Sequence, residues 1–446
     1  MTPAHPYKLL VEGLIVLGAT IFLALAYLHI QEPNDVSKSL QSDEVQYRNM
    51  AIQFRADEAI VAIAPSVYRV GSPYIVSNLP IEDISDAYLY WEMSCAILAV
   101  LLLYFWLRLH LQSRIFSFFF IALTICTLWG PIRATTYHIH GIEGSTILVL
   151  MCSYLALYQY HRTKSVAWVL LLAMTSAVGA TVREFCLVPA LGLLFLYNPL
   201  TSRMFADIRP WVLLPILARV FFNRDRLILW LPLASGFAAL AVVHAQFTPT
   251  DNWNYLNHAA WGLSNLGPLR YLASIFNALG PLPLIVFFIP GFVPTFLRQH
   301  QMFSIILATF LLMSWSGYSN ERYFVWVMPI IFVMIGRAME RHLDVIRSWP
   351  TMLLIVVFEL IAVRAFFPIM GLGPKLQRPI AEEALSRYLP DGWHLSEMEA
   401  YAAEPKAVLT NVIIGLAMGG ILWLAVRSRI PRLHEESEPR DAAGGT

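Results

Sequence analysis

Long apolar runs, broken at short intervals by polar and charged turns, make up the chain from Leu9 to about residue 426. They lie at 9–30, 87–107, 115–130, 144–160, 166–181, 184–198, 228–246, 272–297, 301–317, 323–340, 351–369 and 406–426. Most approach the ~20 residues that cross a bilayer as an α-helix. The pattern predicts an all-α polytopic membrane protein of about twelve transmembrane helices, forming one domain over residues 1–430. The polar remainder, 431–446, reads as a disordered cytoplasmic tail. The first run exceeds a signal-peptide core and no small-residue cleavage site follows it, so it is expected to remain as the first helix. "WVLLPILARVFF" (211–222) is too short to cross and is flanked by arginines, which makes it interfacial or re-entrant. Two runs abut at "TVREF" (181–185), where one kinked helix is the alternative to two.

Charge sets the expected orientation. The turns "RLHLQSR", "HRTK", "TSRMFADIR", "NRDR" and "GRAMERHLDVIR" and the tail "RSRIPR" are all basic. The alternating turns "GPIRATTYHIHGIEG", "TPTDNWNYLNHAAWGLSN" and "SGYSNER" are aromatic and polar. The positive-inside rule then places both termini in the cytoplasm. Two long stretches, 31–86 and 365–404, fall outside it, and the first is too long to be a simple connection.

Composition agrees with this picture. Of 446 residues, 57% are hydrophobic and 14% charged, and the net charge of +1 gives no field for nucleic acid. The four cysteines lie inside apolar runs without metal-ligand spacing and read as small buried hydrophobes.

The chemistry begins in the first outer stretch. "SDEVQYRNMA" places Asp43, Glu44, Tyr47 and Arg48 on a short helix, with Asp43 and Tyr47 sharing a stripe. A loosened capping box from Asp43 to Gln46 and a Glu44–Arg48 pair would explain the cluster structurally. Downstream, "APSVYRVGSPYI" holds Arg69 between two prolines, suited to phosphate through its planar fork or to headgroup anchoring.

An acid pair, a tyrosine and a small residue directly after the first helix resemble the polytopic glycosyltransferases of the GT-C fold. "PSVYRVGSPYI" is similar to a Pro…Tyr-Arg-Val…Pro segment of some bacterial members. The resemblance covers the first ninety residues best and is topological beyond them. It implies a transferase using a polyprenyl-phosphate-linked sugar, with Asp43 as general base and Glu44 as the fallback. It also implies a lipid or glycan acceptor and a site facing the periplasm from a bacterial inner membrane. The short tail, in place of a large soluble domain, points away from the oligosaccharyltransferase branch.

Three further spots place charge at outer helix ends, where it is expensive in lipid. His138, His140 and Glu143 could hold a divalent metal, or Glu143 could contact substrate; helix capping near Gly144 and Ser145 is the alternative. Arg183 and Glu184 form a local or interhelical ion pair, or Arg183 meets a donor phosphate. Arg322 and Tyr323 open the tenth run, where an arginine is disfavoured by the helix dipole and so calls for a separate partner, phosphate or sugar. These residues single out no cofactor beyond the divalent metal that the histidine pair could hold.

Two rivals remain. A lipid-linked polysaccharide ligase or polymerase would use the late stretch 365–404, with Lys375, Arg378 and Arg387. A secondary transporter or flippase would place ionisable groups within spans. Glu12, Glu92 and Glu359 are so placed, each expected to lie close enough to a helix end to reach water.

Overall fold

The computed structural model describes residues 6–31, 33, 43–195, 224–251, 267–289, 291–315, 320–341, 349–363, 365 and 405–427, with single residues between 257 and 264. The 211–222 segment, nearly all of the late outer stretch and the tail lie outside the described residues.

Every described element is helical. The α-helices are α1 (Pro6–Ile30), α2 (Asp43–Arg55), α3 (Gly71–Ser77), α4 (Ile84–His110), α5 (Arg114–Cys126), α6 (Pro131–Tyr137), α7 (Glu143–Thr163) and α8 (Val166–Val182). They continue as α9 (Val188–Phe195), α10 (Leu231–Gln246), α11 (Pro268–Leu279), α12 (Phe292–Gln299), α13 (Gln301–Trp315), α14 (Asn320–Arg341), α15 (Trp349–Ala362) and α16 (Pro405–Arg427). Among the described residues six helical stretches are long and apolar enough to cross a membrane, or seven if α12 and α13, bent by 111°, count as one span. Val166–Val182, Glu184–Leu194 and Pro350–Ala362 are apolar but shorter. Outward-facing Leu10, Leu14, Phe22 and Leu25 on α1 and Ile413, Leu416 and Leu424 on α16 present the apolar exterior expected of a lipid-embedded bundle. The chain is thus built as a membrane protein.

Two sequence expectations change. The run 272–297, read as one span, is broken into α11, a 3₁₀ stretch at Leu282–Phe288 and α12. Gly280 (φ 61°) and Gly291 (φ 71°) take backbone conformations costly for a side-chain-bearing residue, and Pro281 cannot continue the helix. The turn "GPIRATTYHIHGIEG" is partly helical. Pro131 at the first position opens α6, all seven residues of which are buried, including Arg133. Arg133 Nη1 donates to the carbonyls of Cys126 (2.7 Å) and Val363 (2.9 Å), which satisfies a cation inside the bundle.

At "TVREF" the structure resolves the alternative: α8 ends at Val182, Arg183 is extended, and a 3₁₀ turn at Glu184–Leu187 leads into α9. Glu92 and Glu359 do not reach water, being 0% and 1% exposed. Glu92 instead accepts from the Ser145 N–H and hydroxyl, both at 2.8 Å. This α4–α7 contact needs Gly144, where a Cβ would stand 2.2 Å from the Glu92 carbonyl oxygen.

Candidate functional site

The segment from Asp43 to Asp86 folds onto the helix ends as a small cap. In α2, acids open the first turn and Arg55 closes the last, matching the helix dipole. Tyr47, Met50 and Ala51 form one apolar stripe, which buries with Ala62, Val67 and Val76 against Tyr88 of α4, Ile142, Val182 and Val243. Arg55 ties α2 to the end of α3 through the carbonyls of Ser77 (3.3 Å) and Glu82 (2.6 Å). From the far side, Asp251 Oδ1 accepts from Ala64 N–H at 2.8 Å.

This cap brings the sequence-predicted residues into one cluster. Asp43 Oδ1 accepts from the Ser66 hydroxyl (2.8 Å), and its Oδ2 lies 3.6 Å from Arg69 Nη1. Among the described residues the Asp43 oxygens are matched to Ser66 and Arg69, and Gln46 Oε1 accepts from Ile63 N–H (3.2 Å), so the Asp43–Gln46 capping box does not form reciprocally. Arg69 grips Glu184 with two nitrogens, at 3.1 and 2.7 Å, and donates to the Tyr47 hydroxyl at 3.1 Å. Glu184 is therefore the partner of Arg69, 115 residues away, and not of its neighbour Arg183. Arg183 reaches Glu143 Oε1 at 3.1 Å, and Arg322 approaches the same oxygen at 3.4 Å. Trp326 N–H supports the other oxygen at 3.3 Å. Arg183 lies over the Trp326 ring (4.9 Å) and Arg322 over Trp129 (4.2 Å). Tyr323 packs edge-on to Phe185, ring centroids 5.0 Å apart.

Exposure sorts these groups. The side chains of Asp43 and Arg322 are 40% and 18% open, against 9% for Arg69 and 4% for Arg183. Tyr47 and Glu143 are buried, so they hold arginines in place and offer little surface to a ligand. Asp43 is the most open acid of the cluster and Arg322 the most open of its three arginines.

Glu44 pairs with His138 Nδ1, and His138 stacks on Trp129. His140 turns to the Ser85 hydroxyl at 3.1 Å, and Glu143 is spent on its two arginines. The expected His138/His140/Glu143 metal set thus points three ways, and no group of three His, Cys, Asp or Glu side chains among the described residues could hold a metal ion. Ser66, Trp129 and Trp326 escaped sequence reasoning, because an isolated serine or tryptophan at a helix end carries no spacing signal.

Burial alone would push the Asp43 carboxyl up. Arg69, then Arg322 and Arg183, together with the Ser66 hydrogen bond, outweigh it and hold the group below the usual carboxylate range. A depressed folded-state value contributes stability that is present above the unfolded value of about 3.9 and lost as pH falls through the folded value. The difference in unfolding midpoint between the native protein and Asp43→Asn is therefore expected to stay constant from pH 8 to about 5 and to shrink below about 4. Thermal unfolding across that range checks it; a difference that changes near pH 6 would assign the titration to another group.

Neither the family models nor the curated proteins compared with this sequence give a match.

Proposed function

We propose that the chain is an integral-membrane glycosyltransferase. It moves a hexosyl or pentosyl unit from a polyprenyl-phosphate donor to an acceptor hydroxyl at the outer face of the bacterial inner membrane. The bundle is read as GT-C-like, with about twelve spans, of which the six or seven long apolar helices and the three shorter ones supply nine or ten among the described residues, and with both termini cytoplasmic. One observation carries the reading: residues from five separate segments, 43–47, 66–69, 143, 183–184 and 322–326, converge at one end of the bundle. There they leave open one ionised carboxylate beside three arginines.

In this reading the donor's lipid chain stays in the bilayer and its phosphate approaches Arg322. Two guanidinium groups converge on one Glu143 oxygen, at 3.1 and 3.4 Å, a gathering of planar cations suited to phosphate oxygens. The acceptor oxygen attacks the anomeric carbon, the bond to the phosphate oxygen breaks, and the phosphate leaves with the electron pair. Asp43 takes the hydroxyl proton, Ser66 and Arg69 fixing its oxygens. The growing negative charge on the leaving phosphate is met by Arg322 and Arg183. A single displacement inverts the anomeric centre.

Purified protein offered a panel of polyprenyl-phosphate sugars is expected to convert one of them to free polyprenyl phosphate and glycosylated acceptor. Arg322→Ala should raise the donor KM by about 10-fold or more, the cost of a lost charge-assisted contact. A second reading, an ion-coupled carrier, is favoured by Glu359. It is 1% exposed and lies against the helix break at Gly280, next to the Leu282 backbone N–H. Solute uptake into proteoliposomes that depends on Glu359, with no donor consumed, would replace the transferase reading with that one.

A further inference from the structure

The turn "TLWGP" (127–131) joins α5 to α6 and carries one tryptophan. Thr127 closes α5, its N–H and its hydroxyl both donating to the Leu123 carbonyl at 2.8 Å. Gly130 N–H then donates back to the Thr127 carbonyl at 2.9 Å. A Cβ at Gly130 would stand 2.0 Å from the Thr124 carbonyl oxygen, so only glycine lets the chain turn this close to α5. Pro131 starts α6 at once. Trp129 is therefore carried by a turn with little freedom.

Tryptophans near the ends of membrane helices are usually belt residues at the headgroups. A belt ring faces lipid, whereas Trp129 is 2% exposed and packs in the core of the bundle. Two planar groups lie against it. The Arg322 guanidinium stands over the ring, 4.2 Å from its centroid. The His138 ring, returned by the short helix α6, lies 5.4 Å away at 17° to it. His138 in turn is paired with Glu44 of α2. The cap, the α5–α6 turn and α14 thus meet at one indole.

Arg322 is a residue that needs such support. It lies in the first turn of α14, where the helix dipole disfavours a cation. Glu143 Oε1 is 3.4 Å from it and closer still, at 3.1 Å, to Arg183. An indole attracts a guanidinium to its face. That contact does not compete with hydrogen bonds to phosphate oxygens, which a guanidinium makes through its edge. Arg183 lies over Trp326 in the same way, at 4.9 Å, but its side chain is 4% exposed against 18% for Arg322. Trp129 is the tryptophan under the more open arginine.

We propose that Trp129 is a positioning residue for donor binding: it holds the Arg322 guanidinium in the plane in which that group meets the donor phosphate. His138 braces the indole. The inference rests on the transferase reading and adds to it a residue that acts through Arg322 without touching the substrate.

The test replaces Trp129 in the full-length protein by tryptophans carrying one, two and three ring fluorines. Fluorine draws charge from the indole face with little change of size. Turnover of the polyprenyl-phosphate sugar that the native protein consumes is measured in nanodiscs, in the native and Arg322→Ala backgrounds, with unfolding midpoints recorded throughout. In the native background kcat/KM for the donor is expected to fall stepwise, to about five-fold below native at three fluorines, the scale of one cation–π contact. In the Arg322→Ala background the series should be flat. Trp129→Phe, which keeps an aromatic face, should retain more donor affinity than Trp129→Leu. A flat series in the native background, or the same decline in both backgrounds, would overturn the inference and leave the transferase reading standing. Native protein that consumed no donor would overturn both.

Discussion

Asp43→Asn is expected to lower sugar transfer by about 10²- to 10⁴-fold, the usual contribution of a positioned acid–base group. The substitution keeps shape and an oxygen able to accept from Ser66, so the cap should fold. What it removes is the charge beside Arg69 and the capacity to take a proton. Glu44→Gln is the comparison, because Glu44 is buried and paired with His138. It should retain most of its transfer while losing some stability. Single-turnover assays on both variants, with unfolding midpoints measured in parallel, separate the two effects. Full transfer by Asp43→Asn would reduce Asp43 to a group that positions Ser66 and Arg69, and the transferase mechanism would lose its base.

The largest effect on stability is expected at Arg69. Its guanidinium is 9% exposed and bound to Glu184 through two nitrogens, to Tyr47, and more loosely to Asp43. Arg69→Met leaves the Glu184 carboxylate largely buried without its partner, a change that costs about 3–5 kcal/mol in comparable buried pairs. It also frees the cap from the break between α8 and α9. The double variant Arg69→Met/Glu184→Met should recover most of that loss, because two apolar side chains of similar volume need no compensation for desolvation. Transfer should not recover, since Asp43 would no longer be held or kept ionised by the arginine. Thermal unfolding of the single and double variants measures the first claim and transfer assays the second. A single variant as stable as the native protein would mean that the Arg69–Glu184 pair does not hold the cap in place.

The two experiments probe different halves of one arrangement. Asp43 and Arg322 are open enough to meet a ligand, whereas Arg69, Arg183, Glu143 and Tyr47 form the buried frame that orients them. Sequence reasoning singled out these residues but not which of them are open and which are buried. Arg69, Arg183 and Arg322 were equivalent phosphate candidates until their carboxylate partners and exposure separated them.

Local pattern alone determined that this chain is helical and membrane-embedded, where most helices begin and end, and that 43–55 is a helix outside the bundle with acids in its first turn. Those properties depend on hydropathy and on periodicity over a few residues, which neighbours in sequence supply. Tertiary structure decided the rest. Arg69 chose Glu184 over Asp43, Glu143 was shared by Arg183 and Arg322, and the histidines of "YHIHGIEG" turned to separate partners. Each choice depends on how far one helix is rotated and slid against another, a quantity that no window of contiguous residues contains. The burial of Arg133, Glu92 and Glu359 follows the same logic. A charged residue in a turn or inside an apolar run reads as one that reaches water, and only the packed bundle shows the carbonyls that hold Arg133, the serine that holds Glu92, and the break at Gly280 that adjoins Glu359.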